Sequence, residues 1–268
     1  MKILEKFFIF LLFGVNLYPN LNLEIKFLVG DSPKFVECEP MHIRISWRNI
    51  AKKDLKIGPP IKPMQSEALS IWVDGVRVPN FLPPWAPNIL YSTRAPKILK
   101  PLQMEYSDLD IRHIGLPVGM HRIQAKVDFS NFPEGYFHGR VESNVIEFEI
   151  LAPTGVDLEA YKYAEEYVKR RYPRENKIDK LSICMCLTEN IIEDNFILEN
   201  YPTSTYAGWA LFELPNASWG EKNEKIDREK KKYKDMVEIF LEHHPEFVHS
   251  GTLALRAAYI SLEFEDYK

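Results

Sequence analysis

SNVIEFEILAPTGVDLEAYKYAEEYVKRRYP, residues Ser143 to Pro173, changes its period in the middle. In the first part Val145, Glu147 and Glu149 alternate with Ile146, Phe148 and Ile150, the two-residue rhythm of a strand with one buried face. Ala152-Pro153-Thr154-Gly155 ends it. From Asp157, read as a helix N-cap, the apolar positions Tyr161, Ala164, Val168 and Tyr172 follow at helical spacing. The chain is therefore a β region followed by an α region. The boundaries read as a signal-like segment at 1–21, a sheet domain at 22–152, a linker at 153–156 and a helical domain at 157–268.

Downstream, the helix is broken by Pro173. YVKRRYP (Tyr167 to Pro173), FILENYP (Phe196 to Pro202) and IFLEHHP (Ile239 to Pro245) share one form, a ring-bearing residue placed before a proline that cannot continue a helix. Between the first two breaks, LSICMCLTENIIEDNFIL reads as a single helix. After the second, Thr203, Ser204 and Thr205 offer oxygens that cap the next helix, whose apolar face is Tyr206, Ala207, Ala210 and Leu211. Glu221 to Lys234 mixes charges of both signs and reads as a solvated loop entering a further helix. The stripe Tyr233, Met236, Val237, Phe240 belongs to that helix. Leu253, Ala257, Ile260 and Phe264 mark the last one.

Upstream, short alternating segments lie between turn residues. Leu23 to Val29 and His42 to Trp47 read as half-buried strands, and LSIWVDGVRV places Asp74-Gly75 between two β-rich runs, a hairpin signal. Further strands are expected at Ile98 to Tyr106, in HRIQAKVDF and in NVIEFEIL. No helical crossover separates them, which favours a sandwich over a parallel sheet. One stretch fits poorly. Residues 79–101, PNFLPPWAPNILYSTRAPKILKP, combine proline with Phe81, Trp85 and Tyr91 and read as a stiff connection whose rings form a candidate binding patch.

Two resemblances follow from these segments. EPMHIRISWRN, LPVGMHRIQAKV and SNVIEFEIL resemble in layout the immunoglobulin-like or fibronectin-like β-sandwiches of exported bacterial proteins, with Trp47 in the place of the core tryptophan. YPTSTYAGWALFEL resembles the second-helix region of tetratricopeptide-type repeats in bacterial envelope proteins. That resemblance implies an interhelical role for Pro202, a packing pair in Tyr206 and Ala207, and a small packing residue in Ala210. Such repeats bind partners, and no catalytic residue is carried over.

Composition narrows the function. With 268 residues, 46% of them hydrophobic, the chain buries a sizeable core, and 34 basic against 38 acidic residues leave no field that draws it to nucleic acid. Three cysteines, Cys38, Cys184 and Cys186, provide no disulfide framework, and the last two read as small buried hydrophobes. Lys2 and Lys6 precede the apolar run FFIFLLFGV, the pattern of a secretory signal and too short to span a bilayer. Asp108, Asp110 and His113 come nearest to a metal cluster, but in a strand His113 points away from the aspartates. No metal and no cofactor is expected. Nucleophile elbows, HExxH helices, phosphate loops and CxxC pairs do not occur. His243, His244 and His249 read as exposed or capping residues.

The expected function is that of an exported, non-catalytic interaction protein holding a protein or peptide partner in the cell envelope, with Tyr201, Tyr206 and Trp209 added to the candidate binding residues. Two alternatives stand beside it. One is a hydrolase with an interdomain site drawn from His121, Asp110 and Cys184; the other is a protease inhibitor presenting residues 79–101 as bait.

Overall fold

The computed structural model describes residues 20–29, 33–57, 69–78, 97–111, 115–130, 134–171, 180–188, 196–213 and 224–265. Among the described residues ten strands come first: β1 (Leu21–Phe27), β2 (Lys34–Val36), β3 (Met41–Asn49), β4 (Leu55–Ile57), β5 (Leu69–Val73), β6 (Val76–Arg77), β7 (Lys97–Leu99), β8 (Met104–Ile111), β9 (Gly119–Asp128) and β10 (Arg140–Leu151). The helices follow: α1 (Gly155–Arg171), α2 (Lys180–Thr188), α3 (Phe196–Asn200), α4 (Thr205–Glu213), α5 (Glu224–His243) and α6 (Ser250–Glu265). The protein is thus a β-sheet region followed by helices.

The strands form a three-stranded sheet in the order β1-β3-β8, a five-stranded sheet in the order β2-β10-β9-β5-β6, and the pair β4-β7. Along β1, Leu21, Leu23, Ile25 and Phe27 point inward while their neighbours face solvent. β5 and β9 alternate in the same way. Each sheet therefore buries one face, as the layers of a sandwich do.

By compactness the chain divides into two units. The first holds the described parts of Met1–Lys26, Arg44–Leu109 and Arg122–Ile146, the second those of Phe27–Ile43, Asp110–His121 and Glu147–Lys268.

In the first unit Trp47 is buried with Ile45, Leu23 and Ile71. Asn144, on β10, donates its side-chain amide to the Ile25 carbonyl at 3.0 Å and accepts the Ile25 N–H at 2.8 Å, so a side chain takes the place of a neighbouring strand. Burial along β10 shifts phase at this point, from Val141 and Ser143 to Phe148 and Ile150. The expected strand from Ile98 to Tyr106 is interrupted. Pro101 has no N–H to donate, Leu102 takes a φ of 64°, and the chain turns before resuming as β8. Asn49 secures the turn, its amide donating to the Leu99 carbonyl at 2.8 Å.

In the second unit the end of β10 pairs in parallel with β2, Ile150 opposite Phe35. Phe27, Phe35 and Phe148 pack edge to face or tilted, with ring centroids 5.3 to 6.1 Å apart. The helices enclose a separate core that includes Ala164, Val168, Leu187, Tyr206, Val237 and Phe240.

One sequence expectation is corrected here. α1 begins at Gly155, and Asp157 lies in its first turn rather than before it. The Asp157 carboxylate reaches instead to the start of α4, accepting from the Thr205 N–H at 2.7 Å and the Thr205 hydroxyl at 2.9 Å. One acid thus serves two helix N-termini, where partial positive charge favours it. Ser204 adds a side-chain cap, accepting the Ala207 N–H at 3.2 Å. Of the helix expected from Leu181 to Leu198, the described residues lie in α2 and α3, and residues 189–195 are outside the described set.

Candidate functional site

The candidate binding residues separate by position. Phe81, Trp85 and Tyr91 lie outside the described residues, as do His113 and all of segment 79–101 before Lys97. Tyr206 and Trp209 are core residues at 0% and 1% exposure. The Tyr206 hydroxyl donates to the Glu37 carbonyl at 2.7 Å. Trp209 packs edge-on against Phe247 at 5.3 Å and His249 at 5.1 Å. Neither is placed to meet a partner without unfolding its surroundings. Tyr201 is half-buried at the end of α3 and tilts against Phe196 at 5.9 Å.

The alternatives built on single side chains change as well. Cys184 is bonded to Cys38 across 146 residues, so it is neither a free hydrophobe nor an available nucleophile. Cys186 is buried and takes no part in the disulfide. His121 is buried on Phe148, its Nε2 lying 2.7 Å from the Pro117 carbonyl. The Asp108 carboxylate accepts from the Arg44 guanidinium at 2.6 and 2.8 Å. Among the described residues no group of three or more His, Cys, Asp or Glu side chains is arranged to hold a metal ion.

His243, exposed, lies 2.9 Å by Nδ1 from the Ile239 carbonyl one turn back. His244 stacks on Phe240 and reaches the Thr203 carbonyl at 2.8 Å. His249 stacks face to face on Phe212 at 3.8 Å and so belongs to an aromatic cluster rather than to a helix end.

The turn after β2 gathers several of these groups within the second unit. Cys38 takes a φ of 72° and carries the disulfide. Glu37 forms an ion pair with Lys180 at the start of α2, and Lys180 also donates to the Leu116 carbonyl at 2.8 Å. Glu39 accepts the Val36 N–H at 2.8 Å. Although the residue as a whole is only half-buried, its carboxyl end is enclosed. Burial pushes its pKa up to about 8; the bond from Val36 opposes the shift, and Asp157 and Glu246 add to it. Burial and then Glu37 and Glu165 raise Tyr161 to about 12, and burial with Asp157, Glu39 and Glu37 raises Tyr206 further. At neutral pH Glu39 is mainly a neutral acid, suited to bonding within the fold rather than to proton abstraction.

What sequence reading missed is the outer face of α6. Its inner face carries Leu253, Ala257 and Ile260, as the period predicts. On the outer face Leu255, Tyr259 and Leu262 are 72%, 69% and 61% exposed, with Gly251, Ala254 and Ala258 exposed around them. No charged residue is among the exposed positions described on this helix. The signal was present in the sequence as a second apolar register, hidden by the one that fills the core.

Comparison with known proteins gives distant alignments over part of the chain. No protein-family model and no curated protein matches it. Among solved structures, the CARDB domain of a Pyrococcus furiosus protein aligns over 50% of this chain and 96% of that domain, at 13% identity and a TM-score of 0.29 in its solution structure. Its crystal structure, in complex with di-metal ions, gives 14% identity with the same coverage and score. A β-glucosidase from Listeria innocua aligns over 51% of this chain and 16% of that enzyme, at 12% identity and a TM-score of 0.26.

Proposed function

We propose that the protein is an exported, non-catalytic interaction protein, an immunoglobulin-like sandwich joined to tetratricopeptide-like helical hairpins, which holds a protein or peptide partner of the cell envelope. The observation that carries this reading is the outer face of α6. In stacked hairpins the apolar helix faces are covered by neighbouring elements, and a helix face left open to water is ordinarily polar. Here the exposed positions from Gly251 to Leu262, about three turns, are uncharged and mainly apolar, centred on Leu255, Tyr259 and Leu262. A contiguous exposed apolar surface of this kind is characteristic of a contact site.

The Cys38–Cys184 bond supports the compartment, because such bonds persist where thiols are kept oxidised. The phenol of Tyr259 suits a contact surface, combining a large apolar ring with a polar tip.

The reading is tested by photo-crosslinking from position 259 in the native envelope, followed by the same experiment with Leu255→Glu added. A discrete partner is expected, and the charge at 255 should abolish its capture while leaving the melting temperature within about 2 °C, since both side chains are exposed. Capture that survives Leu255→Glu, or recovery of the chain solely from the reducing cytosol, would overturn it.

A further inference from the structure

A second site lies on the first unit, on the solvent side of the five-stranded sheet. A groove of about 510 Å³ is lined by Trp72, Asp74, Gly75, Arg122, Gln124 and Val145, with Lys126 and the backbone of Ile123 completing it. This volume falls in the range of small-ligand sites.

The strand register explains how the groove is built. On β5, Leu69, Ile71 and Val73 point into the core, which turns Ser70 and Trp72 outward. On β9 the same alternation turns Arg122, Gln124 and Lys126 outward, and pairing sets Trp72 directly beside Gln124. The Asp74-Gly75 turn, with φ of 51° and 78°, closes one end. There Asp74 is fixed, accepting the Arg122 N–H through its carboxylate at 2.9 Å.

The indole is immobilised before any ligand arrives. Its N–H donates to the Ser70 hydroxyl at 2.9 Å, and the Lys126 ammonium sits 4.9 Å from the ring centroid. Lys126 in turn pairs with Glu142 at 2.9 Å, and the Gln124 amide donates to the Ser143 carbonyl at 3.0 Å. A rigid aromatic ring on a sheet, bordered by oriented polar groups, loses little freedom on binding.

The chemistry of the lining selects among ligands. An anion would gain from Arg122 and Lys126 but would meet Asp74 and Glu142, and it would compete for an ammonium that is already paired. A wholly apolar ligand would strip water from these polar groups without replacing its hydrogen bonds. A neutral ring with one C–H face and a rim of hydroxyls matches both features, its face against Trp72 and Val145 and its hydroxyls among Arg122, Gln124 and Asp74. We propose that this groove binds a pyranose unit of a neutral glycan. The inference is independent of the partner surface on α6.

The test uses the full chain and the tetrasaccharides of β-1,4-linked glucose, β-1,4-linked N-acetylglucosamine and α-1,4-linked glucose as probes. Calorimetry should give saturable binding of at least one, and shift mapping should confine its effects to the Trp72 indole and the amides of residues 74–75 and 122–126. Trp72→Ala should weaken binding about tenfold or more and Trp72→Phe less, while Leu255→Glu leaves it unchanged. Binding by none of the three at about 10 mM, shifts elsewhere, or an affinity indifferent to Trp72→Ala would overturn the proposal, as would preference for an acidic peptide or hexuronate.

Discussion

At the scale of single residues, one tightly constrained position in the helical core carries no side chain. A Cβ placed on Gly208 would lie 2.3 Å from Phe240 Cζ and 2.7 Å from Cε1. Phe240 is buried and held by His244 and Phe247, so its ring has nowhere to move. Gly208→Ala gains about 1 kcal/mol of helix propensity and incurs about 1–3 kcal/mol of overpacking, so it should destabilise the protein. Denaturant unfolding of Gly208→Ala, with and without Phe240→Leu, checks this; the second change should recover part of the loss. The resemblance to repeat proteins pointed two residues further on, to Ala210. Only the identity of the facing ring shows why the glycine matters more.

Glu39 provides the pH dependence. Its folded pKa, about 8, lies above the ordinary carboxylate value of 4.5, so between these limits the folded state holds the proton more tightly than the unfolded one. Stability from this group is full below about 4.5 and is lost as pH rises through about 8. Glu39→Gln keeps the neutral form at all pH values. Its melting temperature should exceed that of the parent increasingly from pH 5 to pH 8, which a pH series of thermal melts measures; a constant difference would contradict the assignment.

Among elements, the ones legible in sequence were those whose period and turn chemistry agree. The hairpin at Asp74-Gly75 and the stripe of α5 are such cases, because their signals are local. Elements failed where a distant partner decides. The charged run at the start of α5 reads as solvated, yet Lys230 in it is 1% exposed and donates to both oxygens of Glu263 on α6 at 2.8 Å. Thirty-three residues separate the pair, and no spacing rule announces it. The two halves of this tie are unequal, since Glu263 retains access to water and Lys230 does not. Glu263→Ala, which strands a buried ammonium, should destabilise by about 2–3 kcal/mol, and Lys230→Met by less than about 1 kcal/mol. Equal losses in urea unfolding would show that the ion pair, rather than the buried charge, governs the junction.

For the whole molecule, the order of strands then helices was legible because the change of period near Pro153 is abrupt, whereas the covalent link between the segments was not. Three cysteines give no hint of which two join, and Cys38 lies next to Cys184 only once β2 and α2 are in place. Reduction should lower stability by about 2–4 kcal/mol, measured as the difference between oxidised and reduced unfolding curves, with Cys38→Ser/Cys184→Ser insensitive to reductant.

The same bond sets how the chain answers a protease. Every residue between Cys38 and Cys184 lies within one covalent ring, so a single cut there linearises the ring without releasing a piece. A nicked molecule should run as one band without reductant and as two with it, whereas a cut beyond Cys184 frees a fragment under either condition. The oxidised chain is in this sense damage-tolerant from β3 to the first turns of α2, and unprotected before Cys38 and across the helices beyond Cys184.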